Sequence, residues 1–103
     1  MAVFTVLYPA VEGAKFDETY YTEVHIPLAQ EAFAPTGLIG VQILKGLSGA
    51  GGAPAPYRMM VNLTFRDMAA LQASLGGPRG AEVTADVANF TDIQPVAQIS
   101  AEA

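Results

Sequence analysis

One stretch restricts the fold more than any other. Between Tyr57 and Phe65 the residues alternate. Tyr57, Met59, Val61, Leu63 and Phe65 share one face of an extended strand, and Arg58, Met60, Asn62 and Thr64 share the other. The first face is apolar throughout and needs a second layer to cover it. The other carries Met60 among Arg58, Asn62 and Thr64, and with Gln42, Leu44 and one side of the first strand it makes a face too apolar to be left to solvent. A strand of this kind belongs to an antiparallel sheet with its core on one face.

The flanking segments supply the rest of that sheet. Ala2 to Tyr8 reads as a strand with Phe4, Val6 and Tyr8 opposed to Val3, Thr5 and Leu7. Leu38 to Leu47 reads as another, with Ile39, Val41 and Ile43 opposed to Gln42 and Leu44. A last strand is expected within Asp92 to Ser100, where Pro95 confines it to an edge or delays its start. The terminal Ala-Glu-Ala is expected to fray. Ser48 to Pro56 is rich in glycine and proline, lacks the Lys-Ser/Thr ending of a phosphate loop and precedes no helical pattern, so it reads as a hairpin loop. Asp67 is placed to cap a short helix with Met68, Leu71 and Leu75 buried, ended by Gly76-Gly77-Pro78. A further helix is predicted from about Gly80 to Ala88, with Val83, Val87 and Phe90 inward and Asp86 on or beside that face.

The helix that precedes the second strand carries the most information. In Phe16 to Leu28, F-D-E-T-Y-Y-T-E-V-H-I-P-L, Asp17 is suited to cap the first turn, and Phe16 and Tyr21 have the spacing of a hydrophobic staple. Tyr20, Tyr21, Val24, His25 and Leu28 recur at helical intervals on one face, so the only histidine of the chain is predicted to point inward. Pro27 removes an amide and crowds the Glu23 carbonyl, which predicts a kink or pause near Ile26 before the helix runs on to Gln30 and Phe33 and ends at Pro35-Thr36-Gly37. The order β-α-β-β-α-(α)-β is that of a ferredoxin-like split βαβ fold: α+β, an antiparallel four-stranded sheet with helices on one face. Residues 1–103 are read as a single domain.

This architecture leaves one sheet face open, and composition bears on what covers it. The chain is 51% hydrophobic but only 15% charged, against about a quarter charged in typical soluble domains. Pairing of two copies through the open faces is the simplest expectation. Lys15, Lys45, Arg58, Arg66 and Arg79 are scattered in a chain of net charge −5, so no basic stripe exists for nucleic acid and no attraction to an anionic membrane. Without cysteine there are no disulfides, thiolate metal sites or cysteine nucleophile. The first residues lack the charged start and apolar run of a signal peptide, no apolar run approaches a membrane span, and the expected location is the cytoplasm.

The pattern F-D-x-x-Y-Y-x-x-x-H-x-P-L over Phe16 to Leu28 resembles the opening helix of the EthD family. The segment Ala85-Asp86-Val87-Ala88-Asn89-Phe90-Thr91-Asp92 resembles that family's C-terminal A-D-x-x-N-F-x-D. The order and length of the intervening elements fit as well. The family takes its name from the ethyl tert-butyl ether degradation system, and the resemblance implies a dimeric α/β barrel. Haem-degrading monooxygenases share that barrel, but this chain, which has no tryptophan, does not resemble them closely.

His25 and Asp86 are the candidate catalytic residues. A histidine suits general-base work because its unperturbed pKa lies near neutrality; the alternative is a core imidazole bonded to a backbone carbonyl. Asp86 has two readings as well, orienting the His25 ring across a cleft or bonding locally to backbone or Asn89. Tyr20, Tyr21, Tyr57 and Met59 are candidates for a ligand-binding wall, with core packing as the alternative. One histidine and no cysteine leave too few ligands for a metal, and no cofactor is implied. Two functions are therefore carried forward. One is an EthD-like protein that binds a small apolar or aromatic molecule in a helix–sheet cleft, with His25 as base for proton transfer, isomerisation, cyclisation or cofactor-free oxygenation. The other is a non-catalytic dimeric accessory or carrier module of a degradation pathway with a structural His25.

Overall fold

The computed structural model describes residues 1–103. Four strands form one antiparallel sheet: β1 (Ala2–Pro9), β2 (Leu38–Lys45), β3 (Tyr57–Phe65) and β4 (Val96–Ala101), in the spatial order β2-β3-β1-β4. The strand with the cleanest alternation lies inside the sheet, and Met59, Val61, Leu63 and Phe65 are all buried. Opposite them in register stand Tyr8, Val6, Phe4 and Ala2 of β1. These residues form the inner face. β4 is an edge strand that begins only after Pro95, which has no amide to give to a ladder.

Three helices cover the inner face. The first, α1 (residues 18–33), starts with Glu18–Tyr20, passes through a π-helical turn at Tyr21–His25 and continues as Ile26–Phe33. The second, α2 (Met68–Gly76), and the third, α3 (Pro78–Asp86), follow each other directly, and a short turn, Val87–Asn89, extends α3. The caps lie where the sequence places them. Asp17 accepts from the Tyr20 amide at 3.0 Å and Asp67 from the Ala70 amide at 2.8 Å. Phe16 and Tyr21 meet with ring centroids 5.2 Å apart, closing the staple. Gly37 ends the α1 arm with φ +108, a left-handed conformation that favours glycine.

Several local expectations are corrected, each for a definable reason. The irregularity expected near Ile26 takes the form of a wide turn just ahead of it. The Ile26 amide reaches back to the Tyr21 carbonyl, and Pro27 sits in the first turn of the next segment, where an amide is not needed. The extra residue in that turn rotates the faces. Val24, predicted inward, is 45% exposed, whereas His25 and Ile26 are both buried, followed by Ala29 and Phe33. In β2 an irregularity between Leu38 and Gly40 turns Ile39 outward and gives its inward place to Leu38. The strand ends at Lys45, not Leu47. Met68 is exposed because α2 buries Ala70, Leu71 and Ser74 instead. Pro78 opens α3 instead of merely ending α2, and Ala101 is still paired with Ala2.

The segment after α3 is laced to the start of α1. The Asp17 amide donates to the Phe90 carbonyl at 2.8 Å, the Lys15 amide to Asp92 Oδ1 at 3.0 Å, and Phe16 pairs with Thr91 in an isolated bridge. The two sequence motifs are thus neighbours in space. No helix is long and apolar enough to cross a membrane.

Candidate functional site

His25 and Asp86 meet where those two segments pack. His25 ends the π turn, and its imidazole lies against the rings of Tyr21 and Phe90. The Tyr21 ring lies nearly parallel to it at 5.8 Å, and the Phe90 ring is 4.6 Å away. Nδ1 of His25 lies 2.9 Å from Asp86 Oδ2. The other carboxylate oxygen, Oδ1, accepts from the Tyr20 hydroxyl at 2.7 Å and from the Asn89 side-chain amide at 2.9 Å. Asp86 thus bonds locally to Asn89 and, through its other oxygen, meets the His25 ring.

The pair is largely withdrawn from water, with side chains 7% and 11% exposed for His25 and Asp86. Burial by itself would raise the Asp86 carboxyl. The hydrogen bonds from Tyr20, Asn89 and His25, with the charge His25 can carry, more than offset it and hold the carboxyl below the usual carboxylate range. Asp86 is then ionised at neutral pH and can only accept. It follows that Nδ1 carries the hydrogen and that the lone pair of a neutral ring sits on Nε2. The same bond to Asp86 raises the Tyr20 phenol, which stays a protonated donor.

His25 also lines a cavity of about 230 Å³ between the inner sheet face and the helices. Phe4 and Val6 form its floor, Ile26 and Phe33 one wall, Val83 and Val87 the other, and Ala97 belongs to the β4 edge. Tyr8, His25 and Thr84 are the polar side chains on it, and none of its lining residues carries a fixed charge. Asp86 lies outside the lining, on the Nδ1 side of the ring, so Nε2 is the nitrogen available to the cavity; it has no partner within the protein. The volume exceeds the ~150 Å³ of an apolar cavity that holds benzene, and suits a molecule of one or two rings.

The other residues singled out in the sequence have different places. Tyr20 anchors Asp86 and Tyr21 stacks on His25, but neither lines the cavity. Met59 is core. Tyr57 stands at the far end of β3, beside Glu18, Lys45 and Arg58. Sequence reasoning missed Tyr8 as a cavity residue, though its place beside Phe4 and Val6 on the alternating face was the available signal. It likewise passed over the ring of Phe90 as a support for the imidazole. No three His, Cys, Asp or Glu side chains converge on one point.

A split βαβ domain with a histidine–carboxylate pair beside an apolar helix–sheet cavity defines a recognisable class. The EthD domain model matches residues 13–94, and the chain belongs to the EthD family, within the dimeric α/β-barrel superfamily. It is similar to the crystal structure of an EthD-like protein from Ralstonia eutropha, with 36% identity over 96% of this chain and 88% of that one, at a TM-score of 0.86. An ethyl tert-butyl ether degradation family protein from Bacillus halodurans shares 20% identity, covering 100% of this chain and 99% of that one at a TM-score of 0.80. SnoaB, a cofactor-independent oxygenase from Streptomyces nogalater, has the same fold at 10% identity and a TM-score of 0.70, covering 99% of this chain and 92% of that one. No curated protein matches the chain.

Proposed function

We propose that this protein binds a small apolar or aromatic molecule in the cavity and removes a proton from it with Nε2 of His25. One observation carries the reading: Asp86 holds Nδ1 at 2.9 Å, leaving the basic nitrogen for the cavity. In this reading Asp86 fixes the tautomer and stabilises the imidazolium that forms, while Tyr20 and Asn89 fix Asp86. Proton removal is the common first step of isomerisation, cyclisation and cofactor-free oxygenation, and that a cofactor-independent oxygenase shares the fold is in keeping with it. The test is deuterium uptake from D₂O by enolisable aryl ketones such as 2-tetralone, followed by NMR. Wild type should accelerate uptake, and His25→Gln should lose roughly 10²–10⁴-fold of the acceleration. Equal rates with wild type, His25→Gln and buffer would leave the carrier reading.

The assembly proposed is a homodimer joined through the outer sheet faces. Alternation puts Val3, Leu7, Leu44, Met60 and Val96 on that face, with Thr5, Asn62 and Gln42 bonded to one another across its centre. Apart from Arg58 at the start of β3, which reaches back to Glu18 and the Phe16 carbonyl, the face carries no charged side chain within the strands, and no helix covers it, which supports a second copy as its cover. Sedimentation should find a dimer that Met60→Lys converts to monomer; a monomeric wild type would contradict the proposal.

A further inference from the structure

The proton-transfer reading leaves one cavity group unused. Tyr8 is 1% exposed, yet its hydroxyl has no hydrogen-bond partner within the protein. The Tyr21 hydroxyl is also unpaired, but it is closed off completely. The Tyr8 hydroxyl is not, and the space that Tyr8 borders is the cavity. Its ring packs on Tyr21 and Phe90 at 5.8 Å each, the same two rings that hold His25. The base and the phenol are therefore supported by one aromatic cluster and border one cavity.

The large majority of buried hydroxyls find partners in folded proteins, because an unmade hydrogen bond carries the full cost of desolvation. A phenol with a free O–H at an otherwise apolar wall is completed by an acceptor on a ligand. Burial pushes the Tyr8 phenol up, so it stays a neutral donor throughout the working range. The absence of any lysine or arginine from the lining selects against carboxylates and phosphates, which would enter with no counter-charge.

We infer that Tyr8 is a second ligand-contacting group of this site, donating to the single oxygen of a neutral one- or two-ring ketone or its enol or phenol counterpart. The inference rests on the proton-transfer reading and gives it a substrate class. His25 Nε2 takes a proton from the carbon beside the carbonyl. The C–H electron pair becomes the C=C bond of an enolate, the carbonyl π pair moves onto oxygen, and the Tyr8 O–H holds that oxygen. The imidazolium returns the proton to the same carbon or to a conjugated one. Atoms and electrons balance without any co-reactant. Tyr8 meets charge where it develops, and its bond strengthens along the reaction.

Tyr8→Phe is the clean variant, since it removes only an oxygen that no protein group uses. It should melt at or above the wild-type temperature. Binding of 2-naphthol, naphthalene and 2-naphthoate would be followed by titration with wild type and Tyr8→Phe, and His25 ring signals would report occupancy. Wild type should bind 2-naphthol about three- to tenfold more tightly than naphthalene, and 2-naphthoate more weakly than either. In Tyr8→Phe the advantage of 2-naphthol should vanish while naphthalene binds as before. If Tyr8→Phe keeps the advantage, or 2-naphthoate binds best, the assignment of Tyr8 and of a neutral ligand is overturned while the His25 reading survives. If no compound binds or moves the His25 signals, both fail.

Discussion

Glu18 and Asp86 are both carboxylates that meet cationic or hydrogen-bonding partners from distant parts of the chain, and they stand in different worlds. Glu18 accepts from Lys45 at 2.9 Å and Arg58 at 3.3 Å, with its side chain 34% exposed. The bond to Lys45, followed by the charges of both cations, lowers its carboxyl. Water still competes for every atom in that cluster, and removing one member leaves nothing stranded. Asp86 is set among Tyr20, an exposed Asn89 and a buried His25, with its own side chain only 11% exposed and little water to replace His25. What separates the two clusters is not the number of bonds. In the Asp86 cluster both carboxylate oxygens and Nδ1 of His25 are engaged, while Nε2 of His25, beside an apolar cavity, has no partner within the protein.

Deleting each carboxylate in turn should separate the two clusters. Asp86→Ala should be the most damaging change, destabilising by about 3 kcal/mol because it leaves His25 buried without its partner. Chemical denaturation would measure it; a loss no larger than that of Glu18→Ala would show the two clusters to be equivalent. The pH dependence sharpens the point. The Asp86 carboxyl is lower in the folded protein than its unfolded value of about 3.9. Its contribution is therefore fully present above pH ~4 and is lost as the pH falls through the folded value. Between pH 7 and pH 3, wild type should lose more stability than Asp86→Asn, a difference that melting curves at the two pH values would reveal.

A smaller effect of opposite sign is expected one residue from the dyad's anchor. The Tyr21 hydroxyl is buried with no partner, and burial raises its phenol. Tyr21→Phe keeps the ring against His25 and removes an orphan group, so it should stabilise by about 1 kcal/mol, seen as a rise in Tm. A fall would mean that the hydroxyl is satisfied in solution. The smallest effect belongs to Glu18→Gln, under about 0.5 kcal/mol at low salt and close to zero at 1 M salt. A salt-independent loss would mean that the surface cluster resembles the buried one after all.

How much of this was legible beforehand depended on the range of the physics involved. The alternation of β3, the caps at Asp17 and Asp67 and the break before β4 are local, and they gave the sheet and its helical layer directly. The inward histidine followed from its spacing to Tyr21. Val24 and Ile39 were misplaced because one extra residue, in a π turn or a strand irregularity, rotates everything after it, and nothing in a periodic pattern announces the insertion. The pairing of His25 with Asp86 spans the domain and was open only to the argument that an inward carboxylate needs a partner. Tyr57 and Met59 shared a face with cavity residues but not a place along the strand. Tyr8 shared an alternating face with Phe4 and Val6, which pointed it inward, but its unpaired hydroxyl is visible only in the packed structure.

In the proposed mechanism Asp86 holds the hydrogen of His25 on Nδ1 and leaves Nε2 for the cavity. Because the chain has one histidine, long-range ¹⁵N NMR of the imidazole tests it without ambiguity. At neutral pH the spectrum should show a protonated Nδ1 and, in the neutral ring, a lone pair on Nε2, and adding 2-naphthol should move the Nε2 signal more than that of Nδ1. A ring protonated on Nε2 alone, or nitrogen signals indifferent to Asp86→Asn, would contradict the account.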